Sequence, residues 1–326
     1  MGLSVRNEEL GSLAGLWEEL RPQCTSYSVF SIPEWYAIWW KFFGDGKEPV
    51  VLSVRDREDL IGIAPLMKDG DCISFIGNTD VSDYMDFIVA QGREKDVLSA
   101  IFEYLKKQGW DRLELHCIPE RSATRDVLVD LCKSDGLSTV IEDEEVCPII
   151  KLPSTWDEYL SKLSKKDRHE LRRKFRRLEG VGSVKHYVAE DDERLPQAME
   201  EFLRLHKWSR EDKAAFMTDA MQSFFRALTT EFVKMGIAKL YFMELDGIKV
   251  SATMCFDYEN TLYLYNSGYD PEFSHLSVGL LLKALCIRDA METDKEVFDF
   301  LRGDEPYKYD LGGQDTSIYK LTVTRT

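Results

Sequence analysis

The sequence predicts an α/β protein in which one strand–helix unit occurs twice. Three observations carry this: strands and helices alternate along the chain, two hairpins recur with the same following elements, and equivalent strands keep a nearly constant spacing. In the first half, residues 49–54 (PVVLSV) and 60–67 (LIGIAPLM) form a hairpin across the charged turn RDRED, followed by strands at 72–77 and 84–90. Residues 94–107 place Val97, Ile101, Tyr104 and Leu105 on one helical face, Gly109 closes that helix, and 112–118 (RLELHCI) is the next strand. In the second half, 238–245 and 248–256 form a hairpin around Asp246-Gly247, a strong two-residue turn signal. Strand 261–269, a helix over 277–291 and strand 296–301 follow. Each hairpin is preceded by an aromatic-rich helix that ends at glycine, at 35–44 and 224–236. Position 113 corresponds to 297 and position 50 to 239, offsets of 184 and 189 residues.

The halves divide into domains 1–148 and 149–326, separated near the strand between Pro148 and Pro153. The acidic stretch IEDEEV (141–146) reads as a solvated turn before that strand. The alternating tail 317–326 can pair with the sheet of either domain. A chain of 326 residues can bury two cores of ordinary size.

Composition narrows the function. Apolar residues at 44% and charged residues at 31%, with no long apolar run, describe a protein without membrane insertion. The start is acidic and broken by glycine, unlike a secretory signal, and Arg6 stands where a myristoylation start needs Ser or Thr. Seven cysteines without a CxxC pair suit a reducing compartment, so the expected location is the cytoplasm. The five histidines are scattered without metal-ligand spacing, and neither a GxSxG elbow nor a P-loop occurs. A net charge of −16 disfavours DNA or nucleic acid as a partner for the whole surface. Yet residues 160–178 hold nine Lys and Arg against Asp167 and Glu170, a local +7 that leaves −23 on the remainder. That segment spaces Leu160, Leu163, Leu171, Phe175 and Leu178 as a helical apolar face, with Arg168, Arg172, Arg173, Arg176 and Arg177 on other faces. A solvated surface helix is one reading. An anion-binding role is the other, and the acidity elsewhere favours it.

The strings YLYNSGYDPEFSHLSVGLLL and FDFLRGDEPYKY, with ELRRKFRRLE and FLRLH upstream, resemble the GNAT-type acyltransferases typified by cellulose-biosynthesis acetyltransferase homologues. That family is in turn similar to the Fem aminoacyltransferases, which use aminoacyl-tRNA and carry two tandem GNAT-like domains. The resemblance covers residues 150–326 by motif and the first half by architecture alone, and implies an α/β fold of two tandem GNAT-like domains. The first domain, with NTDVSDYMD (78–86) after its third strand, is read as a non-catalytic partner.

The resemblance implies acetyl-CoA or another acyl-CoA as co-substrate, with aminoacyl-tRNA as the alternative donor, and a GNAT fold that binds nucleotide or sugar without chemistry as a third reading. The acceptor it implies is a small molecule or a cell-envelope or polysaccharide precursor. GNAT enzymes hold the pyrophosphate of coenzyme A on a turn of pattern Gln/Arg-x-x-Gly-x-Gly/Ala. Here the corresponding run, 273–279, has one glycine and lacks the Gln/Arg start, which leaves the donor open. On this basis Ser274, His275, Ser277, Val278, Gly279 and Leu280 are donor-binding candidates, with Tyr265 and Asn266 at the end of the preceding strand. A strand–turn–helix presents free N–H groups and a positive dipole end to an anion, with Ser277 able to cap and Gly279 allowing close approach. A plain Ser-capped core helix would look the same.

GNAT enzymes place a general-acid tyrosine where RGDEPYKYDLGG stands, which implies Tyr307 as the acid that protonates the leaving thiolate. Lys308 would stabilise developing negative charge, and Asp304 would be the N-cap of a helix with Pro306 in its first turn. His206 in FLRLHKW matches a family histidine and would face the acceptor.

Overall fold

The computed structural model describes residues 2–325 apart from 13, 25–26 and 190–193. The last residue of the tail strand, 326, lies outside the described residues. The chain forms two compact units, one of residues 1–146 with 316–326 and the other of residues 147–315.

The first unit runs β1 (Ser4–Glu8), α1 (Ala14–Leu20), α2 (Pro33–Phe43), β2 (Glu48–Asp56), β3 (Asp59–Asp69), β4 (Cys72–Phe75), β5 (Ile88–Val89), α3 (Glu94–Leu105), β6 (Arg112–Pro119) and α4 (Thr124–Ser134). β7 (Ser138–Lys151) then carries the chain into the second unit. Antiparallel pairs join β1, β2, β3 and β4 in order, and β4 runs parallel to β6. Apolar residues of α3, including Val97, Ile101 and Leu105, are buried against this sheet. The indoles of Trp35 and Trp39 on α2 donate to Ser82 Oγ and Asn78 Oδ1, tying down the segment that follows β4. Most of 84–90 is not a strand, because only Ile88 and Val89 pair with β3. Burial of the rest accounts for its apolar pattern.

The acidic run 141–146 is likewise not a turn but the middle of β7. Its side chains are largely solvated, so it shows none of the apolar signal of a buried strand. Glu144 pairs with His116 at 2.5 Å.

The second unit contains α5 (Trp156–Lys162), α6 (Lys165–Glu179), β8 (Val184–Ala189), α7 (Leu195–Ser209), α8 (Glu211–Phe216), α9 (Asp219–Lys234), β9 (Ala238–Leu245), β10 (Ile248–Tyr258), β11 (Thr261–Tyr269), α10 (Val278–Glu292), β12 (Val297–Asp299) and α11 (Pro306–Asp310). The final strand β13 (Gln314–Thr324) pairs antiparallel with β6, so the tail completes the first unit.

In the second unit β8, β9, β10 and β11 are successively antiparallel, β11 is parallel to β12, and β12 is antiparallel to the end of β7. Four antiparallel strands followed by one parallel pair is the order of the first unit too. Asp246 and Gly247 turn the β9–β10 hairpin with φ of 51° and 82°, as a two-residue turn of this kind requires.

Alternation along the strands separates two packing layers. Cys255 and Tyr241 face α10, where the Tyr241 hydroxyl donates to Asp289. Phe256 faces the opposite layer, edge-on to Phe232 of α9 at 5.5 Å. All seven cysteines are free thiols. Among the described residues no helix is long and apolar enough to cross a membrane, and no group of three or more His, Cys, Asp or Glu is placed to hold a metal.

Candidate active site

The site begins where two parallel strands separate. β11 pairs with β12 only over Thr261–Tyr263, so the rest of β11 runs on without that neighbour. Against β10, Leu264 faces Cys255 and Asn266 faces Met254, with Tyr265 bulged between them. Such a bulge bends the strand and re-aims the residues beyond it. The Tyr265 ring lies against Phe225 and Phe256, with centroids 5.5 and 4.6 Å apart, so its side chain belongs to the core.

Gly268 lets α7 rest directly on this strand. A Cβ there would stand 2.3 Å from the His206 nitrogen and 2.4 Å from its Cα. His206 is fully buried and its Nε2–H donates to Asn266 Oδ1 at 2.8 Å. Burial, then the Lys213 charge, lowers its pKa to about 4, so the ring is neutral. His206 and Asn266 therefore join α7 to β11.

After β11, Asp270 Oδ1 accepts the Glu272 N–H at 3.0 Å and starts a short 3-10 helix, Pro271–Leu276. Ser277 comes next with φ of 59°, and α10 starts at Val278. Ser277 occupies the N-cap position but its side chain makes no capping bond, contrary to the expectation from sequence, because the left-handed backbone differs from the extended conformation a capping serine uses. The first-turn N–H groups of Val278, Gly279 and Leu280 have no acceptor inside the helix. Gly279 abuts Tyr269, whose Cδ1 would be 3.2 Å from an added Cβ. His275 is exposed, with Nδ1 3.1 Å from the Glu272 carbonyl.

On the far side, Asp299 Oδ1 accepts the Leu301 N–H at 2.8 Å, and Leu301 and Gly303 both have positive φ. The loop wraps the buried Lys308 ammonium. Its Nζ donates to the carbonyls of Leu301 (2.9 Å), Arg302 (2.7 Å) and Gly303 (2.9 Å), and lies 2.9 Å from Glu305. Burial works against the Glu305 carboxylate, yet the Lys308 charge holds it below the usual range. Three protons meet three carbonyls, so Lys308 has none left for an oxyanion, and its expected catalytic position is corrected to a structural one. Asp304 is exposed, and Glu305, not Asp304, precedes α11, without a side-chain cap.

Tyr307 packs edge-on to Phe300, and burial raises its pKa well above the ordinary phenol range. Together these elements bound a cleft of about 530 Å³. Ser267 and Tyr269 of β11 line it, with Ser274, Ser277 and the first turn of α10, and with Pro306 and Tyr307 opposite.

Four basic side chains also reach this cleft, Lys174, Arg210, Lys213 and Lys283, with the carboxylates of Glu305 and Asp310. Lys213 donates to the Ser267 carbonyl, and burial followed by Arg210 lowers its pKa to about 8. Lys283 donates to the Gly279 carbonyl at 3.2 Å and lies 4.8 Å from the Tyr307 ring centroid.

The arginines of α6 are not among the lining residues. Arg168 donates to the Leu160 and Ser161 carbonyls, Arg173 pairs with Glu170 at 2.7 Å, Arg176 donates to the Arg172 carbonyl, and Arg172 is exposed. Lys174 is the residue of that helix that reaches the cleft. One signal pointed to Lys283: a single charge inside the apolar run LLLKALCI. Nothing local marks Lys213.

The uncapped first turn of α10 thus stands beside a parallel pair that ends at Tyr263. Residues 165–309, within the second unit, match the model of the family described as acetyltransferase (GNAT) domain. Among solved structures, FemX is similar over 98% of this chain and 96% of its own, at 13% identity and a TM-score of 0.68. The structure of L-PGS from Bacillus licheniformis is similar over 98% and 94%, at 12% identity and a TM-score of 0.57. A tandem GNAT protein from the clavulanic acid biosynthesis pathway is similar over 99% of both chains, at 14% identity and a TM-score of 0.54. At these identities the likeness concerns fold: a mixed α/β protein of two GNAT-like domains. No curated protein matches the sequence.

Proposed function

We propose that the second unit transfers an acyl group from an acyl-CoA thioester to an amine or hydroxyl acceptor, such as a cell-envelope or polysaccharide precursor. One observation carries the reading. The open first turn of α10 and the basic side chains of Lys174, Arg210 and Lys213 share a cleft with a protonated tyrosine. The pyrophosphate would sit on the N–H groups of Val278, Gly279 and Leu280, at the positive end of a fifteen-residue helix. The thioester arm would lie along β11 where β12 leaves it. Attack by the acceptor on the carbonyl carbon breaks the carbon–sulfur bond, and the Tyr307 hydroxyl gives its proton to the departing thiolate.

Screening amine and hydroxyl acceptors with acetyl-CoA, by release of free thiol, tests this reading. Acceptor-dependent release is expected, and protein that neither binds coenzyme A nor releases thiol would contradict it. Exposed Arg172, Arg176 and Arg177 on α6 favour a second reading, in which the donor is an aminoacyl-tRNA whose backbone lies on that helix.

Only Lys174 among the basic residues of α6 lines the cleft, which supports different roles for them. Lys174→Glu is expected to weaken coenzyme A binding roughly tenfold, with the loss shrinking as salt rises. Arg172→Glu, on the exposed face, should leave that affinity unchanged. Titration calorimetry at two ionic strengths checks both, and the reverse ranking would return the anion site to the arginine face.

A further inference from the structure

Resting on the acyl-CoA reading, we propose that Lys283 is the general base that takes the proton from the attacking acceptor. Its position argues for this first. Lys283 stands in the second turn of α10, is only 7% exposed, and lines the cleft between the first-turn N–H groups and Tyr307. Its nitrogen gives one hydrogen bond, to the Gly279 carbonyl, and no carboxylate among the described residues lies within ion-pair distance of it. This contrasts with Lys308, which is also buried but has three carbonyls and Glu305 around it. A buried ammonium with one acceptor is poorly solvated, whereas a free amine there keeps its lone pair for a proton.

The charged surroundings agree. Lys213 from α8 opposes protonation of Lys283, and Arg210 and Lys174 line the same cleft. Glu305, before α11, favours protonation but is drawn to Lys308, and Asp310, at the end of α11, lines the cleft beyond ion-pair distance of Lys283. The thiols of Cys255 on β10 and Cys286 on α10 also face it, as does the Tyr307 ring. Burial, followed by Lys213, lowers the Lys283 pKa to about 7, so the free amine is well populated at neutral pH and increases as pH rises.

The step balances. The acceptor nitrogen forms its bond to the carbonyl carbon and loses a proton to Lys283. The carbon–sulfur bond breaks and the thiolate takes the Tyr307 proton. The Lys283 ammonium, which lies against Tyr307, then returns a proton to the phenolate. An amide and a free thiol leave, and both side chains are restored.

The test uses the full chain, acetyl-CoA and p-anisidine, an arylamine that stays neutral across the pH range scanned. Wild-type kcat/KM should rise with pH through about 7. Lys283→Met and Lys283→Arg should both lose that limb and about 10²-fold or more in kcat, with coenzyme A still bound. Arginine keeps the charge but cannot act as a base, so substantial activity in Lys283→Arg would overturn the assignment in favour of a purely electrostatic role. Persistence of the limb in Lys283→Met would also overturn it.

A second measurement needs no acceptor. Competitive acetic anhydride labelling, read by mass spectrometry, should titrate Lys283 near pH 7 and show protection by coenzyme A. Titration in the ordinary lysine range would overturn the proposal. Wild-type protein that binds no coenzyme A would instead overturn the donor reading and this assignment with it.

Discussion

Tyr307→Phe is expected to lower kcat by about 10²-fold, the lower range for loss of a general acid, with coenzyme A affinity unchanged. The substitution removes one hydroxyl and keeps the ring that packs against Phe300 and faces Lys283. Burial raises the phenol pKa, so in the folded protein Tyr307 is protonated through the neutral range and well above it. It should therefore add no falling limb to the pH–rate profile near neutrality. Single-turnover thiol release with a reactive acceptor separates the chemical step from product release. An undiminished chemical rate in Tyr307→Phe would remove the tyrosine from the reaction.

The second large effect concerns folding. Lys308→Met should destabilise the second unit by about 1–3 kcal/mol, the range for leaving buried hydrogen-bond acceptors unsatisfied. On a unit of this size that corresponds to a fall in Tm on the order of 5 °C. The cause is specific: three carbonyls of the 301–303 loop lose their donor, and Glu305 loses its partner. Leu301, held at φ 57°, loses part of the support for an uncommon backbone conformation. Calorimetric unfolding measures the change. A Lys308→Met protein with unchanged Tm but abolished turnover would restore Lys308 to the chemistry.

The two lysines show where sequence reading succeeds and where it stops. Motif spacing singled out a segment that lines the cleft, but a motif does not say which way a side chain points. Lys308 turns inward to carbonyls of its own loop, while Lys283, inside an apolar helix, opens onto the cleft. Lys213 arrives from α8, more than fifty residues before the Ser267 carbonyl it contacts, and no local pattern encodes that meeting. His206 stood out as a lone histidine, yet its partner Asn266 and the bare Cα of Gly268 make it a fastener between helix and strand.

At the level of fold, hairpins with strong local turns were legible, as at Asp246-Gly247. Strand β11 over Thr261–Tyr269 was legible with the same ends. Of β7 only the end after Pro148 was, because the exposed acidic part before it lacks apolar alternation and its pairing depends on distant strands. The interval 84–90 failed in the opposite sense: apolar residues there report burial, and burial alone does not make a ladder.

The central claim is that the first turn of α10 receives the phosphates of an acyl-CoA donor. Isothermal titration of coenzyme A into the wild-type chain and into Gly279→Trp tests it most directly. The indole would project from the first turn beside Tyr269, where even a Cβ is tight, and would cover the N–H groups of the turn. The account predicts one salt-sensitive site in the wild type and no measurable binding in Gly279→Trp, with cooperative unfolding retained. Coenzyme A binding by Gly279→Trp at wild-type affinity would contradict it.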